Sequence, residues 1–148
     1  MKSMTTNEVD DEVEVLLRRA DQRYTTSRRR LVAALQAGDG PLTITQITAA
    51  DETLPQSTTY RNLTTLEDVG AVTRIVTSDD FARYELGEHL TEHHHHLICS
   101  SCGDVTDFSL GSVDETALDR ALQQAASKAD FNVDAHRLDL LGTCARCN

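Results

Sequence analysis

Four cysteines stand in two pairs of equal spacing, Cys99-x-x-Cys102 and Cys144-x-x-Cys147, 41 residues apart and with none left over. A C-x-x-C pair presents two thiolates from one tight turn, and two such pairs close a tetrahedron around a single ion. Zinc(II) suits that set, being redox-inert and content with four sulfurs. With every position filled the site is structural, and it ties the end of the chain to the segment at Cys99. Disulfides and free buried thiols are the other readings. Pairing without remainder and a reducing compartment favour zinc.

Immediately before Cys99 runs His93-His94-His95-His96. Imidazole is the commonest transition-metal ligand. Along an extended segment alternate side chains face opposite ways, so His93 and His95 share one side and His94 and His96 the other. One run therefore supplies two half-sites, each needing ligands from elsewhere. Glu85, Glu88, His89, Glu92, Asp107, Asp114 and His136 are the candidates. Imidazole with carboxylate accepts Zn(II), Fe(II) or Mn(II) alike. The bland alternative is a solvated polar loop.

A third group could touch nucleic acid. Ser57-Thr58-Thr59-Tyr60-Arg61-Asn62 follows Pro55 and opens a helix that Gly70 ends. Thr, Tyr, Arg and Asn all bond phosphates or base edges, and a helix fits the major groove. Arg28, Arg29 and Arg30 could hold the flanking backbone. An ordinary polar helix face is the competing reading. Net charge is −10, which opposes DNA binding until its distribution is read: residues 1–16 sum to −4, 17–76 to +2 and 77–148 to −8. Positive charge gathers where the helix lies, and acids gather where His and Cys lie.

The elements that must position these groups follow from periodicity. Glu8 to about Ala20 is amphipathic, with Val9, Val13, Leu16 and Leu17 on one face. Thr25 or Thr26 caps a second helix ending at Gly38, and Thr43 to about Asp51 forms a third. Ser57, as N-cap, opens a fourth that runs to Val69. Val72–Val76 and Ala82–Leu86 make a hairpin. Together these compose a winged helix-turn-helix over residues 1–86. Residues 87–92 read as a hinge. In 93–148, Leu97–Cys99, Val105–Phe108 and Phe131–Gly142 read as strands, and a Ser112-Val113-Asp114-Glu115 capping box opens a helix to about Ala129. The fold class is α+β. No apolar run approaches the roughly 18 residues of a membrane span, and the first residues lack a secretory pattern, so the chain is expected in the cytoplasm.

From about Arg18 to Cys147 these segments resemble the ferric uptake regulator (Fur) family. The resemblance rests on Thr25-x-x-Arg28, Thr58-Thr59-Tyr60-Arg61-Asn62-Leu63, Tyr84-Glu85-Leu86, His93 to Gly103, and Gly142 to Cys147. It implies an N-terminal winged helix, a C-terminal dimerisation domain and a homodimer. Such a dimer binds a palindromic double-stranded DNA operator and represses metal-uptake genes when metal is plentiful. Residue by residue it implies structural zinc on Cys99, Cys102, Cys144 and Cys147. It implies a sensory site on Glu85, His94, His96 and Asp107, open to Glu88, His89 or Glu92. It implies a second metal site on His93, His95, Asp114 and His136, and DNA contacts from Arg28 and residues 57–62. The sensed metal is Fe(II) or Zn(II), less readily Mn(II), with the iron type favoured over a zinc-uptake regulator. Leu42 stands where many iron and peroxide sensors of the family place a His, which argues against peroxide sensing. Gly87 or its neighbours stand where some zinc sensors place a Cys.

Two readings of other classes remain. A metallohydrolase needs an open coordination position in a cleft, and no H-E-x-x-H frame is present, so no enzyme is expected. A metal-storage or chaperone module would bind metal without sequence-specific DNA affinity.

Overall fold

The computed structural model describes residues 4–77 and 79–148. Helix α1 spans Thr6–Arg19. It starts earlier than periodicity places it because Thr5 caps it. The Thr5 hydroxyl accepts the Glu8 N–H, and the Glu8 carboxylate accepts the Thr5 N–H. Val9, Val13 and Leu17, four residues apart, go into the core, as a helical stripe must. Helix α2, Thr26–Ala37, is capped by Thr25 and buries Leu31, Val32 and Leu35. Strand β1, Leu42–Thr43, is too short to leave a pattern in the sequence. It exists because a later strand offers it an edge. Helix α3, Ile44–Ala50, carries a Thr43/Gln46 capping box.

Helix α4, Gln56–Asp68, differs from expectation at its start. Its N-cap is Pro55, not Ser57, and no side chain caps it. The Thr59 N–H reaches the Pro55 carbonyl at 2.9 Å, so the proline, which has no N–H to satisfy, makes the turn. Strands β2 (Val72–Val76) and β3 (Ala82–Leu86) fall where the sequence reading puts them. They pair antiparallel, Val72 opposite Leu86, and β1 adds to the far edge in the order β1-β3-β2. Helices α1 to α4 and this sheet share one apolar core. Three helices, a capping fourth and a hairpin are the winged-helix arrangement.

A single 3-10 turn at Glu88–Leu90 follows, and Leu90 is sunk into the same core. Strand β4, His95–Cys99, begins two residues before the expected start and so takes in His95 and His96. It is central to a second sheet, flanked by antiparallel β5 (Val105–Phe108) and parallel β6. β6 covers only Asp139–Gly142, not the whole of 131–142. The edge of β4 is short, and His96 to Cys99 pair with Asp139 to Gly142 alone. Helix α5, Ser112–Ser127, is capped by Gly111 without a side-chain bond, so the Ser112 capping box is not formed. No residue of α5 is buried, and all four residues of β6 are exposed.

Candidate metal centres and the exposed helix face

The pleat of the β4 segment divides the histidine run as alternation requires. On one side the ligand atoms of His94 and His96 meet Glu85 from β3 and Asp107 from β5, all within 4.8 Å of one another. Glu85 Oε2 lies 3.1 Å from Nε2 of both histidines, and Asp107 lies 3.7 Å from His96 Nε2 and 4.0 Å from His94 Nε2. This cluster joins the two sheets. On the other side His93, His95 and His136 meet Glu115 of α5, again within 4.8 Å. Asp114, named from the sequence, is not in that group. With Gly111 as cap, α5 starts one residue earlier than the capping box implied. Asp114 then lies back by Gly111, 3.9 Å from where a Cβ there would stand, and Glu115 faces the histidines.

The histidines are aimed, a feature that residue types alone did not reveal. His94 Nδ1 donates to the Glu92 carbonyl at 2.8 Å, and His96 Nδ1 donates to Asp139 Oδ1 at 3.1 Å. His136 Nδ1 faces Asp119 Oδ1 at 3.0 Å, and His93 Nδ1 is held by Glu88. In all four the other nitrogen, Nε2, points into a cluster. A ligating histidine has its far ring N–H anchored in this way, which fixes tautomer and ring orientation. Of the candidate ligands from sequence, Glu88 anchors His93 through its carboxylate, while residue 92 anchors His94 only through its backbone carbonyl. His89 lies outside both clusters, its ring against Gly87.

The electrostatics fit a cation. Burial raises the Glu85 carboxyl, but hydrogen bonds from His94 and His96 outweigh it and hold the group at about 2. Glu85 lifts His94 to about 9, its hydrogen bond outweighing burial. His96 is also raised, with burial opposed by Glu85 and Asp139. Burial raises Asp107, whose Oδ1 is buried without a hydrogen-bond partner. Two imidazoles and two carboxylates converging on one point, with an unsatisfied oxygen among them, form a donor set for a divalent ion of borderline softness.

Cys99, Cys102, Cys144 and Cys147 converge within 4.8 Å, and all four are free thiols. Backbone hydrogen bonds from Cys102 and Cys144 lower Cys99 to about 6, favouring the thiolate that zinc needs.

Helix α4 splits the proposed DNA-contacting residues. Ser57, Tyr60 and Arg61 are exposed and Thr58 is half-buried, whereas Thr59 and Asn62 are only 1% and 7% exposed. Thr59 and Asn62 lie one turn before Leu63 and Leu66, so the apolar stripe carries them inward. Thr59 donates to the Pro55 carbonyl, and Asn62 donates to Ser27 Oγ while accepting from Arg28 Nε at 3.1 Å. Arg28 also donates to the Arg23 carbonyl at 2.6 Å. Arg28 and Asn62 therefore fasten α2 to α4, and Thr59 is bonded back to the N-terminus of its own helix, so all three side chains are engaged within the fold. Arg29 stacks over Tyr24 and Arg30 pairs with Asp51.

The family model "Ferric uptake regulator family" matches residues 19–141. The peroxide-responsive repressor PerR of Staphylococcus epidermidis is 30% identical over 146 residues, covering 94% of this chain and 92% of its own. Among solved structures, the ferric uptake regulator Fur of Helicobacter pylori is similar with a TM-score of 0.76 and 23% identity over 99% of this chain and 97% of that one. Fur of Vibrio cholerae gives a TM-score of 0.70 and 26% identity over 88% and 98%.

Proposed function

The chain belongs to the ferric uptake regulator family, and from that premise we propose that it is a metal-responsive repressor that binds a palindromic DNA operator as a homodimer. Residues 1–86 form the DNA-binding unit, 87–92 the hinge and 93–148 the metal-binding dimerisation unit. One observation carries the reading. Glu85, on the winged hairpin, meets His94, His96 and Asp107 of the second sheet at a single point. A divalent cation there, Fe(II), Zn(II) or Mn(II), would replace the protons that the histidines otherwise hold. Both sheets would then share one ligand set, and the ion would select the orientation of the hairpin that fits the operator. The gain in DNA affinity is limited by the ion's preference for that orientation, about 1–3 kcal/mol per coupled site.

Zinc(II) on the four cysteines fits as a permanent structural ion. The cluster of His93, His95, Glu115 and His136 fits a second regulatory or structural ion, and the H. pylori relative is described as having three functional metal binding sites. Dimerisation is supported by the apolar surface on and around α5 and β6, where Val113, Phe131, Leu140 and Leu141 are 80%, 65%, 48% and 73% exposed. No helix among the described residues is long and apolar enough to cross a membrane, and the proposed DNA partner goes with a cytoplasmic location. Nothing in this reading requires catalysis.

A peroxide-responsive variant of the same function has its own support. The staphylococcal relative is named for it. A cavity of about 300 Å³ also reaches Glu85, His94 and Asp107 past Gly38 and Gly40, giving a small molecule access to the donors. This weighs against the expectation drawn from Leu42. Iron over zinc sensing stays a preference based on resemblance.

The test is binding of the zinc-stapled protein to DNA from its own upstream region, titrated with Fe(II) under anaerobic conditions, Mn(II) and Zn(II) at fixed salt. Saturable binding with one metal, lost in the His94→Ala/His96→Ala variant, is expected. Equal weak binding under every condition would overturn the repressor reading. Release by hydrogen peroxide from the Fe(II) form but not the Mn(II) form would select the peroxide-responsive variant.

A further inference from the structure

The hairpin touches the second sheet at a place far from the histidines. Gly103, in the turn after Cys102, has φ +74, and the space a Cβ would need there is filled by the Asp79 carboxylate of the β2–β3 loop. Only glycine satisfies both conditions. The turn is closed by its own backbone: the Gly103 N–H donates to the Cys99 carbonyl at 2.9 Å, and the Cys99 N–H donates to the Asp104 carbonyl at 2.9 Å. Asp79 is equally constrained. Its carboxylate accepts from the Thr77 hydroxyl, the Phe81 N–H at 3.2 Å, and Arg83 at 3.0 and 2.8 Å. Arg83 is only 8% exposed and Thr77 9%. An arginine so buried in a surface hairpin is stable only because Asp79 neutralises it.

We infer that the seat of Asp79 on Gly103 is a second coupling point, through which the state of the cysteine turn sets the orientation of the DNA-facing hairpin. Glu85 and Asp79 lie on either side of Arg83, at opposite ends of β3. His96 and the Cys99–Gly103 turn lie at the two ends of β4. The hairpin is thus held at one end by the Glu85–histidine cluster and at the other by the cysteine turn. Two attachments fix an orientation where one leaves a swivel. When the turn relaxes, as it must without an ion to gather its thiolates, Gly103 moves and the hairpin loses its far support even with the Glu85 cluster intact. This rests on the reading of the four cysteines as a zinc site.

The experiment is amide hydrogen exchange, read by mass spectrometry on the full-length protein. Zinc content is measured in parallel, and cobalt(II) thiolate absorption tests the cysteine site independently. The forms compared are wild type, Asp79→Ala and Gly103→Ala, each zinc-loaded and chelator-stripped. In Asp79→Ala, with zinc retained, residues 100–104 should exchange about five- to tenfold faster along with 77–83, since coupling between two sites is reciprocal. Stripping zinc from wild type should speed exchange at 77–83 by a similar factor, and stripping Asp79→Ala should add little there. Gly103→Ala should loosen 77–83 even where it keeps its zinc. Acceleration confined to 77–83 in Asp79→Ala would make Asp79 a local staple of the hairpin and overturn the inference. So would equal responses of wild type and Asp79→Ala to stripping. If cobalt(II) gives no thiolate absorption, the zinc reading fails by itself, and exchange at 100–104 in Asp79→Ala still decides whether the seat couples the two segments.

Discussion

Up to Leu90 the chain is held by apolar side chains: Val13, Leu17, Leu31, Ile47 and Leu66 are all 0% exposed, and they come from α1, α2, α3 and α4. Beyond His95 the buried apolar residues are Ile98, Cys99 and Val105 alone, while His95 and His96 are 1% and 6% exposed. The first region buries hydrocarbon, and the second gathers ligand atoms. A segment that cannot exclude enough water by packing needs a metal, a partner chain or both. The two regions should therefore fail under different insults.

The largest difference should come from zinc. Cys144→Ser, or full chelation, should remove exchange protection from the cysteine turns and β6, leave the Glu85 end of β4 and β5 partly protected, and dissociate the proposed dimer, since structural zinc contributes about 10–16 kcal/mol of binding free energy to folding. The α1–α4 core should stay protected. Sedimentation and hydrogen exchange on one sample read both effects. Simultaneous loss of both regions would mean that they share one cooperative core. Leu66→Ala makes the converse cut. It should cost about 2–5 kcal/mol of stability in the first region through the cavity it leaves, with cobalt(II) thiolate bands unchanged. Loss of those bands would again break the distinction.

How much the sequence revealed also divides along this line. β2 and β3 are legible to the residue because two short runs of strand-forming residues flank a polar turn sequence, and Gly38 and Gly70 mark helix ends. The alternation of the histidine run showed that two clusters would form. What sequence misses is set by partners in space. β1 has two residues and exists only because β3 offers Tyr84 and Arg83 to pair with. β6 is cut short by the length of β4. Glu115 faces the histidines where the resemblance implied Asp114, and on a helix one residue is about a 100° rotation, so residue type alone does not choose between them. The anchors Asp119 and Asp139 had no signal, since any acid can fill that role and only proximity selects one.

Asp139 tests whether gathering ligands is itself a packing problem. Its carboxylate holds His96 Nδ1 from β6, the exposed strand. Asp139→Ala should weaken cobalt(II) or manganese(II) binding at the Glu85 cluster about 10- to 100-fold, with cysteine-bound zinc unchanged. Asp139→Glu should recover part of the loss. An unchanged affinity would leave His96 oriented by strand pairing alone, and the second region would be more like the first than its composition suggests.

The smallest effects separate two neighbours on α4 that look alike in sequence. Asn62 is buried, bonded to Ser27 and Arg28; Arg61 is exposed, and its side chain makes no hydrogen bond or ion pair among the described residues. Asn62→Ala removes two hydrogen bonds and leaves Arg28 Nε without its partner, while the other guanidinium nitrogens keep the Arg23 carbonyl, Gln22 and Thr65. It should cost about 1–1.5 kcal/mol in denaturant unfolding. DNA affinity should fall only as far as the fold loosens. Arg61→Ala should leave unfolding within about 0.5 kcal/mol of wild type but weaken DNA binding and flatten its salt dependence by about one phosphate contact. The outcome that would break the comparison is a reversal: Arg61→Ala destabilising the fold, or Asn62→Ala changing the salt slope with stability intact. Either would mean that burial on α4 does not sort structural residues from reading ones, and that the helix shifts on its DNA to expose what is now inside.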